Sequence, residues 1–398
     1  MAPFLFLLAT LSLTTTLVNA YAPRPDCHPF FLDIPIEATS LDLDIIHVDN
    51  NIDAVDFAVD FDRWDAPNIT SRISSSSNVS ETFTIYAELC SPPGNGTVVK
   101  KDAIQILTHG AVFDHRYWDV DLKRSEYSYV QAALNAGYTV LNYDRLCNGL
   151  SDKPDAYTLG HGLNELQILR VLTEIVRAGT LNSHLHSGST LPSTPAFDKV
   201  VHVGHSSGSQ LTTALLTSYG NLSDAAILTG LLFADHLLPT ATLALGFTFA
   251  PENNPVLFGG YPSGYIVPSD VGRIQAGFFH RVNDTDPAGF TDEALAYAES
   301  VKSPLATGEW LSLRGLLNVG PSAEFKGAVE FFAAEFDELV CDGDCRNDYD
   351  PAVLQVVYPH AEAVEVYLQP GAGHGLTLHR NASGGYGVML DFLGKHGL

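Results

Sequence analysis

The spacing of hydrophobic positions changes repeatedly along this chain. A short apolar run at 103–107 reads as a buried strand; a helical period over 126–136, an apolar run at 139–143, a long helical period over 163–178 and an apolar run at 199–203 follow. In the long helical stretch Leu163, Leu166, Ile168, Leu169, Leu172, Ile175 and Val176 recur at three-to-four spacing, while Glu165, Arg170, Glu174 and Arg177 take other faces. One side of that helix therefore packs and the other is wet. Further runs at 225–228, 328–333 and 363–368 predict strands, and 210–219 and 386–396 predict helices. Strands that alternate with helices imply an α/β class, a mostly parallel β-sheet flanked by helices.

Two stretches depart from this alternation. Residues 21–102 form a β-rich N-terminal extension continuous with the sheet, in which the Ser- and Asn-rich segment 68–80 predicts a loop or hairpin and 81–90 a strand. From about 235 to 320, Pro and Gly interrupt apolar and aromatic patches, with helices expected at 268–279 and 292–301. An insertion there would cap a pocket at the C-terminal edge of the sheet. The Ser-, Thr-, Gly- and Pro-rich segment 182–195 predicts an exposed loop, and its His184 and His186 lack a third metal ligand nearby.

Charge narrows the partners. With 21 basic and 46 acidic residues among 398, the net charge of -25 repels polyanions, which excludes nucleic acid and disfavours strongly anionic substrates. Residues 1–20 carry no charged side chain and end in Val18-Asn19-Ala20, the pattern of a secretory signal cleaved before Tyr21. Thr14, Thr15 and Thr16 interrupt its apolar run, so no stable membrane span is expected. Six sequons, at Asn68, Asn78, Asn95, Asn221, Asn283 and Asn381, fit a secreted glycoprotein. Five cysteines in that compartment suggest two disulfides, Cys341 with Cys345 and Cys27 with Cys90, leaving Cys147 single and buried.

The chemistry centres on Gly204-His205-Ser206-Ser207-Gly208, which follows the apolar run at 200–203 and precedes a helical period. In G-x-S-x-G the glycines relieve crowding at a sharp strand-to-helix turn that exposes a strained serine, here Ser206. A serine hydroxyl needs a base and an acid that orients the base. His374, between Gly373 and Gly375 after the last predicted strand, is the expected base, with His379, His360 and His396 as competitors. Asp337 is the expected acid; Asp235 is the main alternative, followed by Glu335, Asp342 and Asp344. The oxyanion would be met by the backbone N–H of Ser207 and that of Ala111, with Val112 as fallback, in the loop that begins His109-Gly110. Phe113 to Trp118 could line the pocket or pack at the surface.

With these residues placed, the chain resembles the α/β-hydrolase superfamily and is similar to its secreted fungal members of unassigned substrate. The resemblance runs over about 103–398 and is carried by His109-Gly110, Asp144-Arg145-Leu146, Gly204 to Gly208, Phe336-Asp337 with Cys341 to Cys345, and Gly373-His374-Gly375. The chain departs from that pattern in having Cys147 before Asn148-Gly149, where glycine commonly follows. The resemblance implies one catalytic domain with a cap, an acyl-enzyme on Ser206, no cofactor and no metal. It leads to a carboxylic-ester hydrolase for a neutral, moderately apolar ester or lactone, since the insertion supplies Phe247, Phe249, Phe258, Tyr261, Tyr265, Phe278 and Phe279. The competing expectations are a binding protein without turnover, and a lyase or cofactor-free oxidation using the same residues.

Overall fold

Continuous apolar runs suit strands covered on both faces, and most of the strands that those runs predict are buried throughout. A computed structural model of the protein describes residues 24, 26–93, 99–100, 102–233, 237–280, 289–317 and 320–398. Its strands are β1 (Cys27–Leu43), β2 (Ile73–Cys90), β3 (Ala103–Thr108), β4 (Thr139–Tyr143), β5 (Lys199–His205), β6 (Ala225–Thr229), β7 (Phe247–Phe249), β8 (Tyr265–Pro268), β9 (Leu305–Ala306), β10 (Ala328–Ala334) and β11 (Ala363–Gln369). Among the described residues, eight of them form one sheet in the order β1-β2-β4-β3-β5-β6-β10-β11. Pairing is parallel from β4 to β11 and antiparallel in β1/β2 and β2/β4. Every residue of β3, β4, β6 and β10 is buried. Alternate side chains enter different cores: Ala103 and Leu107 of β3 pack with Tyr129, Met389 and Leu393, while Ile104 and Ile106 pack with Leu169, Leu172 and Leu211.

The N-terminal extension is a long hairpin joined to that sheet. Cys27 and Cys90 face each other in its register and form a disulfide, and Cys341–Cys345 forms a second; Cys147 is buried and unpaired. The Ser-rich segment 68–80 is not a loop beyond residue 72. A short 3-10 turn over Ile69–Arg72 leads directly into β2, and its exposed serines bond across the hairpin, Ser74 to the carbonyl of Asp42 and Ser80 to Glu37. The extension also holds a helix, Asn51–Asp62, capped by the side chain of Asn50. The helical period at 126–136 divides into Arg124–Tyr127 and Tyr129–Asn135, because Ser128 caps the second helix by accepting from the Gln131 N–H.

In the insertion, Pro268 ends a strand rather than beginning a helix. β7, β8 and β9 form a small antiparallel sheet, and Asp270 then caps the helix Val271–Phe278. The last helix starts at Ala382, four residues earlier than its apolar pattern. Asn68, Asn78 and Asn221 are exposed, and the side chain of Asn381 bonds to Gln369 and the carbonyl of Pro370. Asn95, Asn283, Asp235 and the segment 1–20 lie outside the described residues. Among the described residues no helix is long and apolar enough to cross a membrane.

Glu330 is a cost within the sheet. It lies on β10, 3% exposed, in register with Glu365 of β11. Burial, then the Glu365 charge, push its carboxyl up to about 8 against the opposing Lys395. The folded chain thus keeps a proton that the unfolded chain releases, and stability falls as pH rises from about 4.5 to about 8. Glu330→Gln should flatten that fall and become the more stable form at pH 8, by on the order of 1–3 kcal/mol relative to its difference at pH 5. Urea unfolding at both pH values measures this; parallel pH dependence in the two proteins would contradict it.

Candidate active site

The turn at Ser206 follows from close backbone packing. A Cβ on Gly208 would lie 2.1 Å from the Thr108 carbonyl oxygen of β3, and one on Gly204 would lie 2.7 Å from that of Gly208. No side chain fits at either place. Ser206 itself has φ 50° and ψ -117°, a strained conformation for a residue with a side chain, and the helix Ser207–Ser218 begins immediately after it. The end of β6 holds the turn: the Thr229 carbonyl accepts from the Ser206 N–H and from the Ser209 hydroxyl, each at 2.8 Å.

His374 and Asp337 come from the loops after β11 and β10 and meet at 2.6 Å, Nδ1 to Oδ2, both fully buried. Asp337 caps the short helix Glu338–Cys341, so its Oδ1 accepts the N–H groups of Leu339 and Val340 and Oδ2 is left for the imidazole. The Cys341–Cys345 disulfide closes the turn behind it. Nε2 of His374 is buried and has no hydrogen-bond partner among the described residues, Ser206 included. The Phe278 ring lies 5.4 Å from the His374 ring and also lines the pocket that holds Ser206.

The remaining acids and histidines are placed elsewhere. Glu335 accepts the Gly371 N–H, Asp344 pairs with Arg346, and Asp342 occupies a left-handed turn. His360 is exposed, and His396 bonds to Glu362 and Glu365. His379 has a structural task that its sequence context did not reveal. Its Nε2 accepts the Gly373 N–H at 3.0 Å and the His280 N–H at 3.3 Å, while Nδ1 donates to the Gly375 carbonyl at 2.9 Å. A buried imidazole thereby clips both flanks of His374.

His205 is also buried, stacked on Tyr117 at 4.2 Å and tilted toward His374 at 4.7 Å. The Thr229 hydroxyl donates to the Gly204 carbonyl, so it accepts from Nδ1 of His205 and fixes that tautomer. Burial, with the His374 and His109 charges, holds His205 well below its ordinary pKa and neutral.

Ala111, Val112, Ser206 and Ser207 line one cavity of about 60 Å³. The Ser207 N–H opens a helix and has no intrahelical acceptor; the Ala111 N–H meets no acceptor among the described residues. Val112 is buried with φ 62°, uncommon for a β-branched residue, and its carbonyl accepts the Ser303 N–H at 2.8 Å. Beneath this loop, burial and the Arg145 charge lower the His109 pKa to about 3, so its neutral Nε2 accepts the Arg145 N–H. The Arg145 guanidinium is fully buried and pairs with Glu165 and Glu309 at 2.6 Å each.

Of the insertion's aromatics named from sequence, only Phe278 lines the cavity; Trp310, which the sequence did not single out, is a second wall. Phe113 to Trp118 line neither the pocket nor the surface except Arg116, which is partly exposed; Phe113 packs on Phe278 and Tyr117 under His205. The buried group Asp114, His115 and Asp144 has metal-ligand side chains within reach of one another. Burial opposes a charge on His115, but Asp144, Asp114 and Glu88 push its pKa up to about 9, and a protonated ring has no lone pair for an ion. With Arg116 on Asp114, this is an internal ion network.

The sequence profile of the alpha/beta hydrolase family matches residues 105–382. No curated protein matches the chain. Solved structures with a similar fold include a bromoperoxidase from Bacillus anthracis, 17% identical, covering 79% of this chain and 96% of its own, with TM-score 0.47. The epoxide hydrolase VrEH1 from Vigna radiata is 14% identical over 79% of this chain and 95% of its own, TM-score 0.49. A thermophilic esterase from Thermogutta terrifontis is 12% identical over 79% and 95%, TM-score 0.47.

Replacing His379 by Leu removes the acceptor of the Gly373 and His280 N–H groups and should cost about 1–3 kcal/mol in urea unfolding, with faster amide exchange at Gly373 and His280. His379→Gln, which restores an acceptor near Nε2, should recover part of both. Unchanged exchange in the Leu variant would remove His379 from this role.

Proposed function

The chain belongs to the alpha/beta hydrolase family, and we propose that within it the protein is a secreted serine hydrolase that cleaves a neutral, moderately apolar carboxylic ester or lactone. The observation that carries this reading is the 2.6 Å contact between His374 and Asp337, which leaves Nε2 of His374 unbonded beside the pocket of a strained Ser206. Ser206 Oγ attacks the carbonyl carbon as His374 Nε2 takes its proton, and Asp337 fixes the tautomer and balances the charge formed on the ring. The N–H groups of Ala111 and Ser207 receive the oxyanion; they are fixed before reaction, so no reorganisation is needed when the charge develops. His374 then gives its proton to the leaving oxygen, and water activated by the same ring releases the acid.

The substrate class rests on the pocket. Ala111, Leu245, Phe278, Leu339 and Val340 supply apolar walls, and among the described residues that line the cavity none is Lys or Arg. The net charge of -25 works in the same direction. Secretion is supported by the signal-like start and by two disulfides, which persist in oxidising compartments.

A fluorophosphonate probe should label the wild type and not Ser206→Ala, and short-chain aryl-ester hydrolysis should fall at least about a thousandfold in that variant. Asp337→Asn should retain the fold and lose on the order of a hundredfold or more in kcat. Equal labelling of the Ser206→Ala protein, or a folded wild type that neither labels nor turns over, would overturn the assignment.

A further inference from the structure

One wall of the cavity is polar without a protein reason. Four of the side chains that line it carry a hydrogen-bonding atom: Ser206, Ser207, Gln210 and Trp310. Trp310 is committed, since its indole N–H donates to the Thr242 hydroxyl at 2.9 Å. Ser206 is the proposed nucleophile. Ser207 and Gln210 remain, and among the described residues neither side chain has a hydrogen-bond partner. They stand three apart on the first turn of the helix Ser207–Ser218 and so share one face. The same cavity is lined by Leu245, Phe278, Leu339 and Val340. An apolar cavity with a few convergent polar groups reads substrate by those groups.

We propose that Ser207 and Gln210 make this pocket selective for a short acyl chain bearing a neutral hydroxyl, the acyl group that a ring-opened lactone leaves on the enzyme. The proposal rests on the serine-hydrolase reading above and narrows its substrate. A hydroxyl and a primary amide both donate and accept, which matches a hydroxyl, and neither carries a charge to offset desolvating a cation or a carboxylate. Gln210 lies three residues beyond Ser207, about 4.5 Å along the helix axis, which suits a hydroxyl two or three carbons from the ester carbonyl.

Lactone opening gives such a wall a purpose. Ser206 Oγ forms its bond to the carbonyl carbon, the ring C–O bond breaks, and the departing oxygen takes the proton held on His374. That oxygen stays tethered to the acyl group as a hydroxyl, poised to attack the ester and close the ring again. Hydrogen bonds to Gln210 and Ser207 hold it away from the carbonyl while water adds. The water oxygen ends in the carboxylate of the free hydroxy acid, and one proton is released to solvent.

The test compares the wild type with Gln210→Leu on two aryl esters, the 3-hydroxybutanoate and the butanoate, reading kcat/KM for each, with fluorophosphonate labelling as the control for fold and nucleophile. Wild type should prefer the hydroxy ester; Gln210→Leu should lose about 10- to 100-fold on it, since buried polar groups discriminate strongly against a missing partner. The ratio of the two esters is the readout, with the variant's own butanoate rate as its reference, and labelling shows that the nucleophile is intact. If wild type labels and hydrolyses both esters without preference, or Gln210→Leu leaves their ratio unchanged, the polar-wall proposal fails while the serine-hydrolase reading stands. If wild type neither labels nor hydrolyses either ester, both fail. A variant that does not label is replaced by Gln210→Met, read by the same ratio.

Discussion

The site depends on a crossing of backbones closer than any side chain permits. The start of the helix Ser207–Ser218 passes over the end of β3 at Gly208, where an added Cβ would overlap the Thr108 carbonyl. That approach bends the chain sharply after β5, puts Ser206 at positive φ, and places Ser207 at the cavity. The strain is sustained because the neighbourhood over-determines it: Thr229 holds the turn through both its carbonyl and its hydroxyl, and Gly230, at φ 58°, leaves room for the His205 and His374 rings. The alternating strands and helices of the parallel sheet position these few atoms.

Much of this was legible in the sequence, and the reason differs from place to place. β3, β4, β5, β6 and β10 are buried strands, so uninterrupted apolar runs mark them. G-x-S-x-G was informative because its glycines answer a steric demand. Chain order points to Asp337 and His374 as partners, and the structure brings the two side chains together. For the first half of β2 the serines leave a loop and a hairpin equally open, because serine favours turns; cross-strand partners on Asp42 and Glu37 stabilise the hairpin. The small sheet β7-β8-β9 has two to four residues per strand, too few for a period to register. Which aromatics face the cavity is set by tertiary packing: Phe247 instead supports Trp310, with ring centroids 5.2 Å apart.

Buried charge provides another layer of specification. Arg145 joins the helix Gly162–Arg177 through Glu165 to the helix Thr307–Gly315 through Glu309, and its guanidinium also points at the Gly110 carbonyl at 3.4 Å. Such a triad gains little net stability over apolar packing, because desolvating three charges offsets most of their attraction, but breaking one member leaves an uncompensated charge. Its effect is to fix which helices meet beneath the loop that begins at His109. The Asp114, His115, Arg116 and Asp144 network does the same for the segment that follows.

The hydrogen bond from Ser303 to the Val112 carbonyl makes the insertion part of the frame of the candidate site. Ser303 also accepts the Gly149 N–H at 3.1 Å, and Glu309 takes one arm of Arg145. The insertion is therefore not modular. Its first part, up to the helix Asp292–Val301, supplies Ala241, Leu245 and Phe278 to the cavity; its last part, from Lys302 through the helix Thr307–Gly315, supplies Trp310 and Leu313 and is also tied to the core. A chimera that exchanged the whole span between β6 and β10 would carry away the supports of the loop it was meant to cover, whereas a joint placed before Lys302 would leave them in the host.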